Sequence, residues 1–316
     1  MDSLNISKGT GTGVGTGTGI AADTQRASRD GPIGDLLSQA RDLQPEQVQR
    51  ILDHQREHGV RFGEAAVALG LAGAADVARA LSQQFRYATA RPGSADAAAL
   101  SPELVVAHAP FSPQAEAFRG IRAQLKLRLR ERPGPPTVAV VSAERGDGRS
   151  YVAANLAVAF SQLGGRTLLI DADLRHPRQH ALFGIATGAS AAGGLAHMLS
   201  GRDDALGVEA VASLPSLFVL PVGAVPPNPL ELLEGAVLRR LLDDVRGKFD
   251  HVIVDTPSAI QGMDGAVTAA ACGAALLVLR PDTSRLVPAQ DLRAAVTAGG
   301  ALTVGAVFNR PGAGRR

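Results

Sequence analysis

The stretch "VVSAERGDGRSY", Val140–Tyr151, decides how this chain is read. Its centre, Gly146-Asp147-Gly148-Arg149-Ser150, has the glycine spacing of a loop that wraps phosphate, but it carries arginine where such loops carry lysine. Gly146 and Gly148 can adopt positive φ and let the backbone approach a ligand closely. The helix expected next, from Ser150 to Leu163, would aim its N-terminal amides and positive dipole end at an anion, and the Ser150 hydroxyl is placed to ligate Mg2+. The pattern G-x-x-x-x-G-K-[ST] is broken at Ala143 and at Arg149. Taken alone, the loop leaves two readings open, a nucleotide site and a turn in a glycine-rich chain.

The surrounding sequence favours the nucleotide site. "TVAVVS" runs into the loop, and further β-branched or apolar runs follow: "RTLLID", "LFVLPV", "HVIVDTP", "AALLVLR" and "ALTVGAVFNR". Buried strands separated by helices imply right-handed crossovers and a doubly wound, mostly parallel α/β sheet. In such a sheet a ligand sits beyond the carboxyl ends of the strands. "TLLIDADLRHP" ends a strand on Asp171 and Asp173, and "HVIVDTPS" ends one on Asp255. Carboxylates at that edge suit Mg2+ ligation and activation of a hydroxyl or water. Any one of them could instead cap a helix.

Outward from the α/β region, the organisation changes. Residues 1–30 include the low-complexity "GTGTGVGTGTG" and are expected to form a disordered tail. An internal repeat follows: "IGDLLSQARDLQPEQVQRILDHQ" aligns with "FGEAAVALGLAGAADVARALSQQ" at one constant spacing, setting Gly34 on Gly63, Leu37 on Ala66 and Leu52 on Leu81. Apolar residues at helical spacing predict two short amphipathic helices per copy, hence a small helical domain over 31–90. The Pro- and Gly-bearing segment 91–111 reads as a linker, and 112–312 as the α/β domain.

The chain has 316 residues, 45% of them apolar, and a formal charge of +2. The slight excess of arginine is spread out, so no nucleic-acid partner is expected. A single cysteine, Cys272, excludes an intramolecular disulfide and reads as a buried thiol in a reducing cytosol. The longest apolar run, Ala266 to Leu279, is shorter than the about 20 residues that span a bilayer, so membrane association is expected through a partner.

"SAERGDGRS", "LLIDADLRHP", "GAVPPNPLELL" and "VIVDTP" resemble the Walker A, Walker A′, intervening and Walker B motifs of bacterial tyrosine kinases, within the MinD/ParA-like P-loop ATPases. The run "GRSYVAANLAVAFSQLGGRTLLIDADLRHPRQHALFG" resembles the exopolysaccharide chain-length determinant kinases of EpsG type, in which arginine stands at the Walker A lysine position. The resemblance covers about residues 111 to 310. It implies ATP and Mg2+ as cofactors, with Gly146, Asp147, Gly148, Arg149, Ser150, Tyr151 and Asn309 at the nucleotide. Ser150, Asp173 and Asp255 would hold the metal, and Asp171, Asp173, Asp255 and Arg149 would carry the chemistry. Asp264 falls where the family has another acidic residue, and Asn228 with its prolines shapes a rim loop. The implied setting is cytoplasmic, peripheral to the inner membrane, beside a membrane-bound polysaccharide chain-length regulator.

"EAFRGIR" matches the family's E-x-x-R-x-x-R ring element, implying a homo-oligomer through Glu116, Arg119 and Arg122. The family's C-terminal tyrosine cluster has no counterpart here, where the tyrosines are Tyr87 and Tyr151. The helical repeat resembles the N-terminal domain of type II secretion and MshE-like ATPases, whose cyclic-di-GMP spacing falls on Arg61, Gly63, Gly70 and Gln84. In the first copy Pro32 and Arg41 stand at two of the motif positions. Three readings stay open: a protein tyrosine phosphotransferase, a non-kinase ATPase switch, and either one governed by a second messenger.

Overall fold

In the computed structural model, which describes residues 33–84, 98–186, 193–201 and 207–310, the apolar runs become strands of one sheet. They are β1 (Thr137–Val141), β2 (Thr167–Asp171), β3 (Glu209–Ala210), β4 (Leu217–Leu220), β5 (His251–Asp255), β6 (Ala274–Leu279) and β7 (Leu302–Phe308). Their order is β3-β4-β2-β5-β1-β6-β7, parallel throughout except where β3 meets β4. This is the doubly wound α/β sheet expected. β1, β2 and β5 are buried at every position, which explains why they read as unbroken apolar runs instead of alternating ones. The antiparallel β3 was not anticipated; its two residues are both exposed and form no apolar run. Register pairs Val140 with Asp255 and Asp171 with Asp255, so the glycine loop and the carboxylates leave the sheet at one edge.

The chain divides into two compact units, one ending at Arg86 and one beginning at Tyr87. The first is built from α1 (Ile33–Arg41), α2 (Pro45–His58), α3 (Phe62–Ala68) and α4 (Ala74–Gln84). The two copies of the repeat start their helices at matching positions, Ile33 with Phe62 and Pro45 with Ala74. The matched residues Leu37 and Ala66 are both fully buried, in a small core with Ile51, Ala65 and Ala80. Arg41 on α1 pairs with Asp76 on α4 at 3.2 Å. At Gly63 a Cβ would come within 2.5 Å of Val77 Cγ1, so glycine here permits close packing of α3 on α4. The tail, Pro32 and Tyr87 lie outside the described residues.

The second unit contains α5 (Val105–His108), α6 (Pro113–Leu129), α7 (Arg149–Ser161), α8 (Gln179–Leu182), α9 (Leu195–Leu199), α10 (Pro229–Glu234), α11 (Ala236–Arg246), α12 (Asp264–Cys272) and α13 (Leu286–Ala298). From Val152 to Ser161 every residue of α7 is buried, because the helix lies between the sheet and a cover made by α5 and α6. Ser112 caps α6, its hydroxyl accepting from Ala115 N–H at 3.2 Å, and Pro113 sits at the first helical position.

The segment read as a linker is different from expectation over its described part. Leu100, Leu104, Val106 and Ala107 are buried in the α/β core. Asn155 of α7 fastens them, accepting from Val106 N–H at 3.0 Å and donating to Glu103 O at 2.9 Å. Its Pro and Gly neighbours hid a short apolar set with no regular period. The apolar run Ala266–Leu279 is divided by Gly273 into the end of α12 and all of β6. Cys272 is buried there, and burial pushes its thiol up to about 12. No helix among the described residues is long and apolar enough to cross a membrane.

The helical unit yields the first test. Val77 is β-branched and cannot swing clear of an added methyl, so Gly63→Ala should destabilise the unit by about 1–3 kcal/mol. Thermal unfolding should show an earlier loss of helical signal, and an unchanged melting curve would mean that α3 and α4 are not in close contact.

Candidate active site

β1 delivers the chain to the carboxyl edge of the sheet, where it turns through residues 142–148 into α7. Gly146 and Gly148 take φ of 84° and 95°. At Gly148 a Cβ would lie 1.9 Å from Asn309 Nδ2, so both conformation and space require glycine. Asn309 Nδ2 donates to Asp147 O at 2.9 Å. The fully buried Asp147 carboxylate accepts from Glu144 N–H at 3.1 Å and from the Ser284 hydroxyl at 2.6 Å.

Arg149 folds into the protein instead of extending into solvent. Its Nε donates to Thr256 O at 2.8 Å, and its Nη1 to Ser142 Oγ at 2.5 Å and Glu144 O at 2.8 Å. Nη2 lies 4.0 Å from Asp173 Oδ2. Burial lowers the proton affinity of this guanidinium, opposed by the charges of Asp255, Asp173 and Asp147. Two of its three nitrogens therefore hold the loop's own shape, and Nη2 is the corner left toward Asp173.

The strand-end carboxylates surround this arginine. Asp171 Oδ1 accepts from Asp173 N–H at 3.2 Å, while Oδ2 accepts from the N–H groups of Arg178 and Gln179 at 3.0 and 2.9 Å. Asp173 Oδ1 accepts from Arg175 N–H at 3.2 Å and His176 N–H at 2.9 Å. Both aspartates thus shape the turn into α8, the capping role open from the sequence. Asp255 is held differently: Oδ2 accepts from Gln179 Nε2 at 2.7 Å, and the buried Oδ1 has no hydrogen-bond partner. Burial, with the charge of Asp255, raises the Asp171 carboxyl well above the usual range. Burial lifts Asp255 to about 6 against the pull of Gln179, Ser150 and Arg149.

A cleft of about 230 Å³ opens beside the loop, lined by Arg145, Ser150, Asp173, His176, Arg178 and the loop glycines, among others. Its oxygen donors are hard, the Ser150 hydroxyl and Asp173, and the unpartnered Asp255 Oδ1 is buried at the end of β5, on the same edge of the sheet. They fit Mg2+, which prefers oxygen ligands and keeps waters and substrate phosphates in its shell. Among the described residues no group of three or more His, Cys, Asp or Glu is arranged to hold a metal unaided.

Other expected residues fall as follows. Asp264 is buried and makes a two-pronged pair with Arg175, at 3.0 and 3.2 Å. Tyr151 packs edge-on against Phe118 of α6, ring centroids 5.6 Å apart, and burial raises its hydroxyl. Asn228 stands at the N-cap position of α10 ahead of Pro229, with no capping hydrogen bond from its side chain. On α6, Arg119 holds Glu116 and the Pro110 carbonyl, and Arg122 holds the Ala159 carbonyl. Arg61 caps α3, and its N–H donates to Glu64 at 2.9 Å; Gly70 turns with φ 67°, and Gln84 ends α4. Sequence reasoning missed Gln179, Thr256, Ser142 and Ser284. None belongs to a spacing pattern; Ser142, Gln179 and Thr256 sit inside quoted stretches without a role of their own there, and Ser284 lies outside them.

No family model matches the chain. Over 163 residues, 52% of this chain and 69% of the relative, it is 36% identical to the tyrosine-protein kinase CpsD of Streptococcus agalactiae. It is 31% identical over 200 residues to the tyrosine-protein kinase YwqD of Bacillus subtilis, covering 82% of that protein. Among solved structures, the kinase domain of the Escherichia coli tyrosine kinase ETK superposes with a TM-score of 0.62 at 29% identity, covering 69% of this chain and 84% of that one. The chimerical protein CapA2B2 gives 0.61 at 30% identity, covering 67% and 91%. By this agreement in sequence and in fold the chain belongs to the bacterial tyrosine-protein kinases, a family of P-loop kinases and ATPases.

Proposed function

We propose that this chain transfers the γ-phosphoryl group of ATP to a protein tyrosine and so regulates exopolysaccharide chain length, synthesis or export. It would act in the cytoplasm, at the inner membrane through a membrane-bound chain-length regulator. The observation that carries this reading is the cleft lined by the loop glycines, Ser150 and Asp173 at the carboxyl edge of the sheet, with Asp171 and Asp255 ending the adjacent strands β2 and β5 at that same edge. The amides of Gly146 to Ser150 would receive phosphate oxygens. Ser150, Asp173 and Asp255 would hold Mg2+, whose positive charge would offset the negative charge of the phosphates. The acceptor oxygen attacks the γ-phosphorus, its proton passes to the Asp171 carboxylate, and the bridging oxygen leaves with ADP. Desolvation makes Asp171 a stronger base than an exposed carboxylate, which supports that role.

A non-kinase ATPase switch is the second reading, and the tying of Arg149 into the loop favours it. Tyr151 is half-buried, its ring packed on Phe118 against the core, so a phosphoryl acceptor would be Tyr87, another protein or water. Homo-oligomer formation would run through Glu116, Arg119 and Arg122 of α6, whose side chains in the single chain hold one another or the carbonyls of Pro110 and Ala159. For the helical unit we favour docking over cyclic-di-GMP binding, because close packing at Gly63 and the turn at Gly70 account for both glycines without a ligand.

Following γ-labelled ATP into protein and into free phosphate separates the two readings. Label on tyrosine supports the kinase, and free phosphate alone supports the switch. Under either, Asp171→Asn should keep ATP affinity within a few-fold and cut turnover about 10²- to 10⁴-fold. Wild-type turnover would leave Asp171 with its capping role alone.

Arg149→Lys should bind ATP and turn over no faster than the parent, because an ammonium cannot hold Thr256 O, Ser142 Oγ and Glu144 O in the same geometry. A large gain in turnover would identify the loop as one weakened by losing lysine.

Electrostatics makes a further prediction. The Asp255 carboxyl sits at about 6 in the folded protein against an ordinary 3.8, so between those values the folded state binds more protons than the unfolded one. Stability therefore falls as pH rises through that window, and the charged carboxylate remains a cost above it. Asp255→Asn should raise the melting temperature of the nucleotide-free protein at pH 7.5 by about 2–8 °C while abolishing phosphoryl transfer. A lower melting temperature would mean that the carboxylate stabilises the fold.

A further inference from the structure

Gln179 opens α8 and is completely buried, although it is a polar residue in a stretch, "RHPRQH", that reads as a loop. A buried primary amide is tolerated when its groups are bonded, so its partners report what it is for. Nε2 donates to Asp255 Oδ2 at 2.7 Å and to Ser150 O at 3.2 Å. Its main-chain N–H donates to Asp171 Oδ2 at 2.9 Å. One residue thus touches all three segments of the site: the end of β2, the end of β5 and the first turn of α7. The neighbouring Arg178 anchors the same turn to Glu103 at 2.6 Å.

The amide also has a defined orientation. Both N–H directions of Nε2 meet acceptors, whereas Oε1 is buried with no partner. Rotating the amide by half a turn would set Oε1 against the Asp255 carboxylate, oxygen against oxygen. The unbonded Oε1 is accordingly a cost of keeping the donor on Asp255. What that donor achieves is selective: Oδ2 is taken, and Oδ1 is left buried and without a partner. An amide does this without adding charge. A lysine or arginine at the same place would neutralise Asp255 and compete with a cation, and a glutamate would repel both carboxylates.

We infer that Gln179 is a positioning residue, which turns the Asp255 carboxylate so that Oδ1 alone is presented to a divalent cation arriving with the nucleotide. The inference rests on the proposed role of Asp255 at Mg2+. Partners in the shell behind a metal ligand typically change metal affinity 10- to 100-fold when removed. Gln179 would also link the Asp255 side of the site to Asp171, because its main-chain N–H holds Asp171 Oδ2 while its amide holds Asp255.

The test is ADP affinity by calorimetry on the full chain, once with Mg2+ and once with EDTA. Gln179→Met keeps the volume and removes the amide. Its affinity in EDTA should stay within about twofold of the parent, while the gain on adding Mg2+ should shrink by about tenfold or more. Gln179→Asn, which keeps an amide one methylene short of Asp255, should show the same loss and serves if the methionine variant does not fold. Asp255→Asn should remove the Mg2+ gain, and adding Gln179→Met to it should change nothing further. A full Mg2+ gain in both Gln179 variants, with Asp255→Asn defective, would overturn the positioning role alone. A full gain in Asp255→Asn would overturn the reading of Asp255 on which it rests.

Discussion

The buried guanidinium of Arg149 is the constraint around which the catalytic edge is organised. It joins the residue after β1, the carbonyl of Glu144 in the loop and the carbonyl of Thr256 after β5. A charge withdrawn from water this far is costly unless hydrogen bonds and opposite charges surround it. Here both do, with main-chain and hydroxyl oxygens on Nε and Nη1, and Asp173, Asp255 and Asp147 nearby. The fork geometry of arginine is what allows three acceptors from separate segments to be held at once. Lysine in this position would supply charge to a phosphate but could not act as the same brace.

Across the sheet, the opposing constraint is an excess of buried carboxylate. Adjacent parallel strands β2 and β5 end in register, Asp171 beside Asp255, so two acidic side chains face one desolvated space. The fold answers each one separately. Asp171 is quieted by backbone N–H groups of the turn into α8, and Asp255 by the Gln179 amide, the Ser150 hydroxyl and Arg149. Both still hold protons more tightly than exposed carboxylates would. A site kept in this condition is less stable than a neutral one, and it is ready for positive charge. That combination is expected where binding and chemistry, not stability, set the residue types.

Much of the fold was legible because its signals are local and strong. Fully buried strands must be apolar along their whole length, and the aspartates that end them had to lie on one edge once the strands were parallel. The helical repeat was legible because the same spacing recurs twice. What escaped was set by tertiary neighbours. Leu100 to Ala107 read as linker because their burial depends on Asn155 of a helix far along the chain. Gln179 was silent because an amide in a polar loop has no period or motif, and only the positions of Asp255 and Ser150 give it meaning. Asn309 has a partner of the same kind: its amide supports the loop carbonyl of Asp147, a contact that no spacing rule contains.

The same reasoning explains why the opening motif was ambiguous by itself. Its shape is not specified by its own residues. Thr256 after β5, Ser284 after β6 and Asn309 after β7 all reach the loop, so each of the last three strands leads into one brace. Asp147 is acidic because the Ser284 hydroxyl and Glu144 N–H need an acceptor there, and Glu144 is in turn paired with Arg285 at 2.6 Å. The departures from the common loop pattern are thus mutually supporting, each filling a contact that another creates. Restoring a single common residue would leave the others without partners. A loop built this way is preorganised by the second half of the domain, and its fitness for phosphate depends on the completed sheet more than on any one side chain within it.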